Sequence, residues 1–75
     1  MYFVNTKTTK ILQLGRNIFK FRKAKGLSQN QLAEKLNISR EHLAKIETAK
    51  RCVSLGLLID ISECLEIPVK DFFDY

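Results

Sequence analysis

The sequence predicts a small all-α fold, and three observations carry that prediction. Apolar residues recur at three- and four-residue steps along most of the chain. Serines at 28, 39 and 54 stand just ahead of three such segments, where helices take their N-caps. Gly26, Asn37 and Pro68 fall between segments, where helices stop or restart. With 75 residues the chain suits one domain. The expected architecture is a compact five-helix domain over residues 10-75, preceded by an N-terminal arm over residues 1-9.

In the first helix Leu14, Ile18, Phe21 and Arg22 share one face, and Gly26 supplies the stop after Lys25. Phe19 points away from that face, either exposed or covering the arm. Ser28 caps a second helix with Leu32, Ala33 and Leu36 on one side, and Asn37 ends it. Ser39 caps a third whose inner face is Leu43, Ile46 and Glu47. Ser54 caps a fourth with Leu55, Leu58, Ile59, Ser62 and Leu65 expected to face inward. Pro68 suits the first turn of a short fifth helix bearing Val69, Phe72 and Phe73. Ahead of all this, Tyr2, Phe3 and Val4 are apolar and Asn5 to Thr9 are helix-poor. That segment reads as a frayed terminus, or as an arm that packs on a partner subunit or reaches toward DNA.

Net charge is +5, and its distribution says more than its size. Seven basic residues (Lys7, Lys10, Arg16, Lys20, Arg22, Lys23, Lys25) and no acidic one fall in residues 1-26. From Ser54 onward there are five acidic residues against Lys70 alone. One end should attract a polyanion and the other avoid it. No apolar run approaches the ~20 residues of a membrane span, and Met1 to Lys10 lacks the features of a secretory signal. A soluble, cytoplasmic protein without membrane contact is expected. Cys52 and Cys64 have neither CxxC spacing nor a suitably placed histidine, so both read as reduced thiols and no metal is expected. No cofactor or small-molecule ligand is expected either. A chain this short buries only about 60% of its unfolded surface, which leaves little for a catalytic cleft. His42, the single histidine, has no catalytic neighbours in sequence and reads as a surface residue flanking the third helix. Nothing supports an enzyme.

Function concentrates between Gln29 and Thr48. Two short helices can cross steeply only if a small residue lies at the closest approach, and Ala33 supplies it. The turn needs a left-handed backbone, which Asn37 accepts better than any other non-glycine residue. Leu32, Ile38, Leu43 and Ile46 are spaced to clamp the pair from beneath. Together these offsets signal a helix-turn-helix.

From about Leu14 to Phe73 the chain resembles the Cro and phage-repressor (XRE) helix-turn-helix family. The match is carried by Leu14-Gly15, Arg22-Lys23, Lys25 to Gln29, Leu32-Ala33, Ser39-Arg40, Ile46-Glu47, Lys50-Arg51, Ser54-Leu55 and Ile67 to Phe73. Asn37 replaces the usual turn glycine, Thr48-Ala49 the frequent Asn-Gly after the recognition helix, Val53 a proline, and Glu66 a glycine-like stop. The resemblance implies a lambda-repressor-like DNA-binding domain that binds a palindromic operator as a homodimer, without enzymatic activity. It makes Arg40, Glu41 and Lys45 the base readers. The helical wheel agrees, because Glu41, Lys45 and Thr48 lie outward when Leu43 and Ile46 lie inward. Arginine pairs with guanine, and glutamate accepts from the cytosine amino group. Gln29 and Ser39, at helix N-termini, suit phosphate, and Gln29 is placed to support Arg40. Lys50 and Arg51, just past the helix, suit nonspecific phosphate contacts. His42 and Thr48 are candidates for flanking contacts.

Arg22 and Glu47 both lie on core faces, so they should pair, and the family has a buried pair at these positions. Ile67, Val69, Phe72, Phe73 and Tyr75 exceed what a small core absorbs and are the candidate dimer interface; the alternative is that Val69 and Phe72 close the core and Phe73 is a lone exposed aromatic. The expected function is a sequence-specific transcriptional regulator, a repressor or controller protein, that inserts helix 39-48 into the major groove. The short tail after the fifth helix leaves little room for a toxin-binding segment. The competing reading is a protein-interaction module, such as an antitoxin or anti-repressor, that keeps the fold with little DNA binding. The basic residues at 40, 45, 50 and 51 weigh against it.

Overall fold

A computed structural model describes residues 6–74, with side chains from Thr9 onward. Four α-helices run in the order α1 (Thr6–Ala24), α2 (Gln29–Leu36), α3 (Arg40–Glu47) and α4 (Leu55–Leu65). A 3-10 helix, Val69–Phe73, follows. Among the described residues there is no strand. The expected fifth helix is therefore a single 3-10 stretch of five residues, too short to propagate an α-helix. Its closing bonds, Asp71 N–H to Pro68 O and Asp74 N–H to Asp71 O, span three residues each. At the other end, α1 starts at Thr6, inside the stretch expected to be an arm. Propagating an established helix costs little, and the threonines do not stop it. The rest of that stretch, residues 1–5, lies outside the described residues.

Helix boundaries follow local chemistry. Ser28 and Gln31 form a reciprocal capping box, with Gln31 N–H donating to Ser28 Oγ at 3.0 Å and Ser28 N–H to Gln31 Oε1 at 2.8 Å. Ser39 and Ser54 cap α3 and α4 through His42 N–H and Leu57 N–H. Left-handed backbone ends the other sides: Asn37 has φ 60°, Glu66 φ 58° and Gly26 φ 75°.

The core is Ile18, Leu32, Ala33, Leu43, Ile46, Leu58, Ile61, Leu65 and Phe72. It differs from expectation on α4, where Ile61 is buried while Leu55 is 69% and Ile59 41% exposed. Apolar residues cover more than half of the circumference of α4, so the covered side is decided by its packing against α1 and α2. Phe72 is fully buried and meets Phe21 edge-on, ring centroids 5.0 Å apart. It closes the core of its own chain and is not available to a dimer interface. Asn17, a buried polar residue of α1, donates to the carbonyls of Phe72 at 2.9 Å and Asp74 at 3.3 Å, tying the C-terminal segment down. Where α1 crosses the end of α3, Gly15 sits against the backbone of Ile46 and Glu47.

Candidate nucleic-acid interface

The candidate recognition element is built from beneath. Leu43 and Ile46 are buried against the core, while Arg40, Glu41, Lys45 and Thr48 are exposed and His42 is half-buried. Four of the five candidate readers and flankers on α3 and its C-cap thus lie on solvent, as their spacing requires. The Thr48 hydroxyl donates back to Ala44 O at 2.8 Å, so it caps the helix end with its proton. Ser39 Oγ accepts from His42 N–H at 3.0 Å, which leaves its own proton to donate. The N–H groups of Gln29 and Asn30 in α2, and of Arg40 and Glu41 in α3, have no acceptor within their helices and point out of the N-termini. Amides so placed favour an anion.

Beneath this face, Arg22 and Glu47 form the expected buried pair, with side chains only 5% and 2% exposed. Arg22 Nε donates to Glu47 Oε2 at 2.6 Å and Nη2 to Oε1 at 3.1 Å. Nη1 donates to the Leu27 carbonyl at 2.7 Å, which fixes the link between α1 and α2. The Arg22 guanidinium also lies 5.2 Å from the centroid of Phe19, so that half-exposed ring roofs the pair. The sequence set Gln29 beside Arg40 but did not reveal its bond to the buried pair. Gln29 Nε2 donates to Glu47 Oε1 at 3.0 Å, and Gln29 Oε1 accepts from Arg40 Nη1 at 3.5 Å. The half-buried Gln29 side chain therefore turns toward α3. Arg40 has a second, exposed contact, Nη2 to Glu41 Oε2 at 3.8 Å.

After α3 the chain turns on Ala49, whose φ is 62°. The N–H groups of Ala49, Lys50 and Arg51 donate to Ile46 O and Lys45 O, so they are used inside the fold. Only the exposed Lys50 and Arg51 side chains offer charge from this corner. The other end of the molecule carries a different surface. Phe73 is 49% exposed, while Ile67 and Val69 pack half-buried on the core. Tyr75 lies outside the described residues. Among the described residues no group of three or more His, Cys, Asp or Glu is placed to hold a metal ion. No described helix is long and apolar enough to cross a membrane.

Comparison with known proteins places this geometry in context. The model of a family described as helix-turn-helix matches residues 18–72. An uncharacterised HTH-type transcriptional regulator of Rickettsia conorii is 39% identical over 61 residues, 81% of this chain and 49% of the relative. The HTH-type transcriptional regulator SlrR of Bacillus subtilis is 39% identical over 62 residues, 81% of this chain and 41% of SlrR. The chain thus spans about half the length of these relatives, or less. The restriction-modification controller protein C.AhdI from Aeromonas hydrophila superposes with a TM-score of 0.82 at 29% identity, covering 87% of this chain and 98% of that one. SinR, a master regulator for biofilm formation solved in complex with DNA, superposes with a TM-score of 0.74 at 32% identity, covering 79% and 95%.

Proposed function

The chain belongs to the helix-turn-helix family, DNA-binding transcriptional regulators of the XRE type and not enzymes, and from that premise we propose that it reads an operator with α3 in the major groove, as a repressor or controller protein. One observation carries the reading: Arg40, Glu41 and Lys45 stand exposed above a buried clamp of Leu43 and Ile46. Arg40, Glu41 and Lys45 take the base edges. Ser39, the first amides of α2 and α3, and the Lys50 and Arg51 side chains take phosphates. His42 and Thr48 flank these contacts, and Gln29 supports Arg40.

One such helix covers only a few base pairs, so useful specificity calls for a homodimer on a palindromic site, its half-sites about one helical turn (~34 Å) apart. Phe73 is the exposed apolar residue best suited to that contact, flanked by Ile67 and Val69 on the acidic half that phosphate repels. Likeness to a controller protein over nearly the whole of both chains supports the controller role. Exposed cations at 40, 45, 50 and 51 disfavour a pure protein-interaction module, which has no need of them.

Selection from a random duplex pool tests the proposal. A twofold-symmetric motif should emerge with the wild-type chain, and its preference should relax at one position per half-site with Arg40→Ala. A pool left unenriched after repeated rounds would overturn it.

A further inference from the structure

Arg40 and Glu47 lie seven residues apart on α3, almost two full turns, and so on one row of the helix. Gln29, the first residue of α2, spans the gap between their side chains. The chemistry of Glu47 decides how it does so. Glu47 is held by two hydrogen bonds from Arg22, so its carboxylate cannot rotate freely. The charged carboxylate of such a pair accepts hydrogen bonds and donates none. A glutamine amide has a donor edge and an acceptor edge, and only the donor edge can face Glu47. Its oxygen is then turned toward residue 40, where it meets Arg40 Nη1.

We propose that Glu47 is a specificity-positioning residue: through Gln29 it fixes the polarity of the hydrogen bond offered to residue 40, and so holds a donor, the Arg40 guanidinium, ready for a base edge. The inference rests on the reading that Arg40 contacts bases. Arginine has five donors and no acceptor, so it can accept the Gln29 oxygen's hold with one N–H and keep others for guanine. Both holds on Arg40 are exposed, 3.5 Å from Gln29 and 3.8 Å from Glu41, but only the Gln29 side chain is itself anchored, by its 3.0 Å bond to the buried pair. Orienting a flexible side chain before binding lowers the ordering cost at the moment of binding. The buried pair thus acts on the reading head as well as on the fold.

The test compares affinities for the selected duplex and for the same duplex altered at the base pair whose preference Arg40→Ala erases. Two chains interrupt the relay in different places. Gln29→Lys still offers a donor to Glu47 but only like charge to Arg40. Arg22→Met with Glu47→Leu fills the core with apolar groups and removes the acceptor, a replacement buried pairs often tolerate. Both should lower the preference ratio at that pair by roughly threefold to tenfold, the size of coupling within one hydrogen-bonded network. Neither should change the ratio at other pairs or add to the loss in an Arg40→Ala background. A full ratio retained in Gln29→Lys, or in the folded Arg22→Met/Glu47→Leu chain, would overturn the relay while leaving Arg40 a base reader. An unchanged ratio at every pair in Arg40→Ala itself would overturn the base reading and the relay with it.

Discussion

A Cβ built on Gly15 would stand 2.5 Å from the carbonyl oxygen of Ile46, closer than side-chain carbons ever approach an oxygen. This contact sets how near α1 can come to the end of α3, and so where α3 sits on the core. The obstacle is backbone, with Glu47 O a further 2.9 Å contact, so no rotamer change relieves it. Gly15→Ala should destabilise by about 1–3 kcal/mol despite the better helix propensity of alanine. Gly56→Ala is the control, because nothing lies within 4 Å of its Cβ position. Thermal melts should move in opposite directions, down for residue 15 and up slightly for residue 56. A rise in both would mean that the crossing is looser than described.

Two residues with ordinary side chains hold the left-handed conformation that glycine prefers. Ala49 has φ 62° and Glu66 φ 58°. Left-handed backbone costs a non-glycine residue about 1–2 kcal/mol, and glycine returns part of that gain through its greater unfolded freedom. Ala49→Gly and Glu66→Gly should each stabilise by about 0.5–1 kcal/mol. Asn37→Gly should change little, since asparagine tolerates the conformation. Melting temperatures check the order, at roughly 4–8 °C per kcal/mol for a domain of this size.

Glu47→Ala strands Arg22 in a site where its side chain is 5% exposed. Removing one partner of a buried pair costs about 3–5 kcal/mol. Glu63 is exposed, and Glu63→Ala should fall within about 0.5 kcal/mol of wild type. Denaturant titration of the two variants separates them, and equal midpoints would remove the buried pair from the account of stability.

Lys50 and Arg51 are exposed just past α3, on a loop whose own amides are internally bonded. Each side chain that meets one phosphate contributes close to one unit of salt slope. Lys50→Ala and Arg51→Ala should each flatten the dependence of log affinity on log salt by about 0.9, alike on cognate and random duplexes. An unaltered slope would take that residue off the phosphate backbone.

Much of this was legible in the sequence because local chemistry dictated it. Caps at Ser28, Ser39 and Ser54, stops at Gly26, Asn37 and Glu66, and the Arg22–Glu47 pair all follow from short-range rules or from two core faces meeting. What escaped depends on distant packing. Asn17 reads as an ordinary helix residue, yet it binds carbonyls 55 and 57 positions away. The choice of Ile61 over Ile59 needs the neighbours of α4, since its pattern is apolar on too many sides. Whether Phe72 closes the core or is surplus apolar material stayed open in the sequence, because a period alone does not say whether a terminal segment folds back. At the candidate site the outward face was readable from the wheel. The Gln29–Glu47 link was not, because 18 residues and a turn separate them.

The central claim is that α3 and its borders meet duplex DNA, and amide chemical-shift mapping tests it most directly. Titrating the labelled chain with its selected duplex should move the amides of Gln29 and Asn30, of Ser39 to Thr48, and of Ala49 to Arg51. The amides of the second half of α4 should stay within the small changes expected of a distant surface. Perturbations centred on Ile59 to Glu66, with Arg40, Glu41 and Lys45 unmoved, would contradict the account.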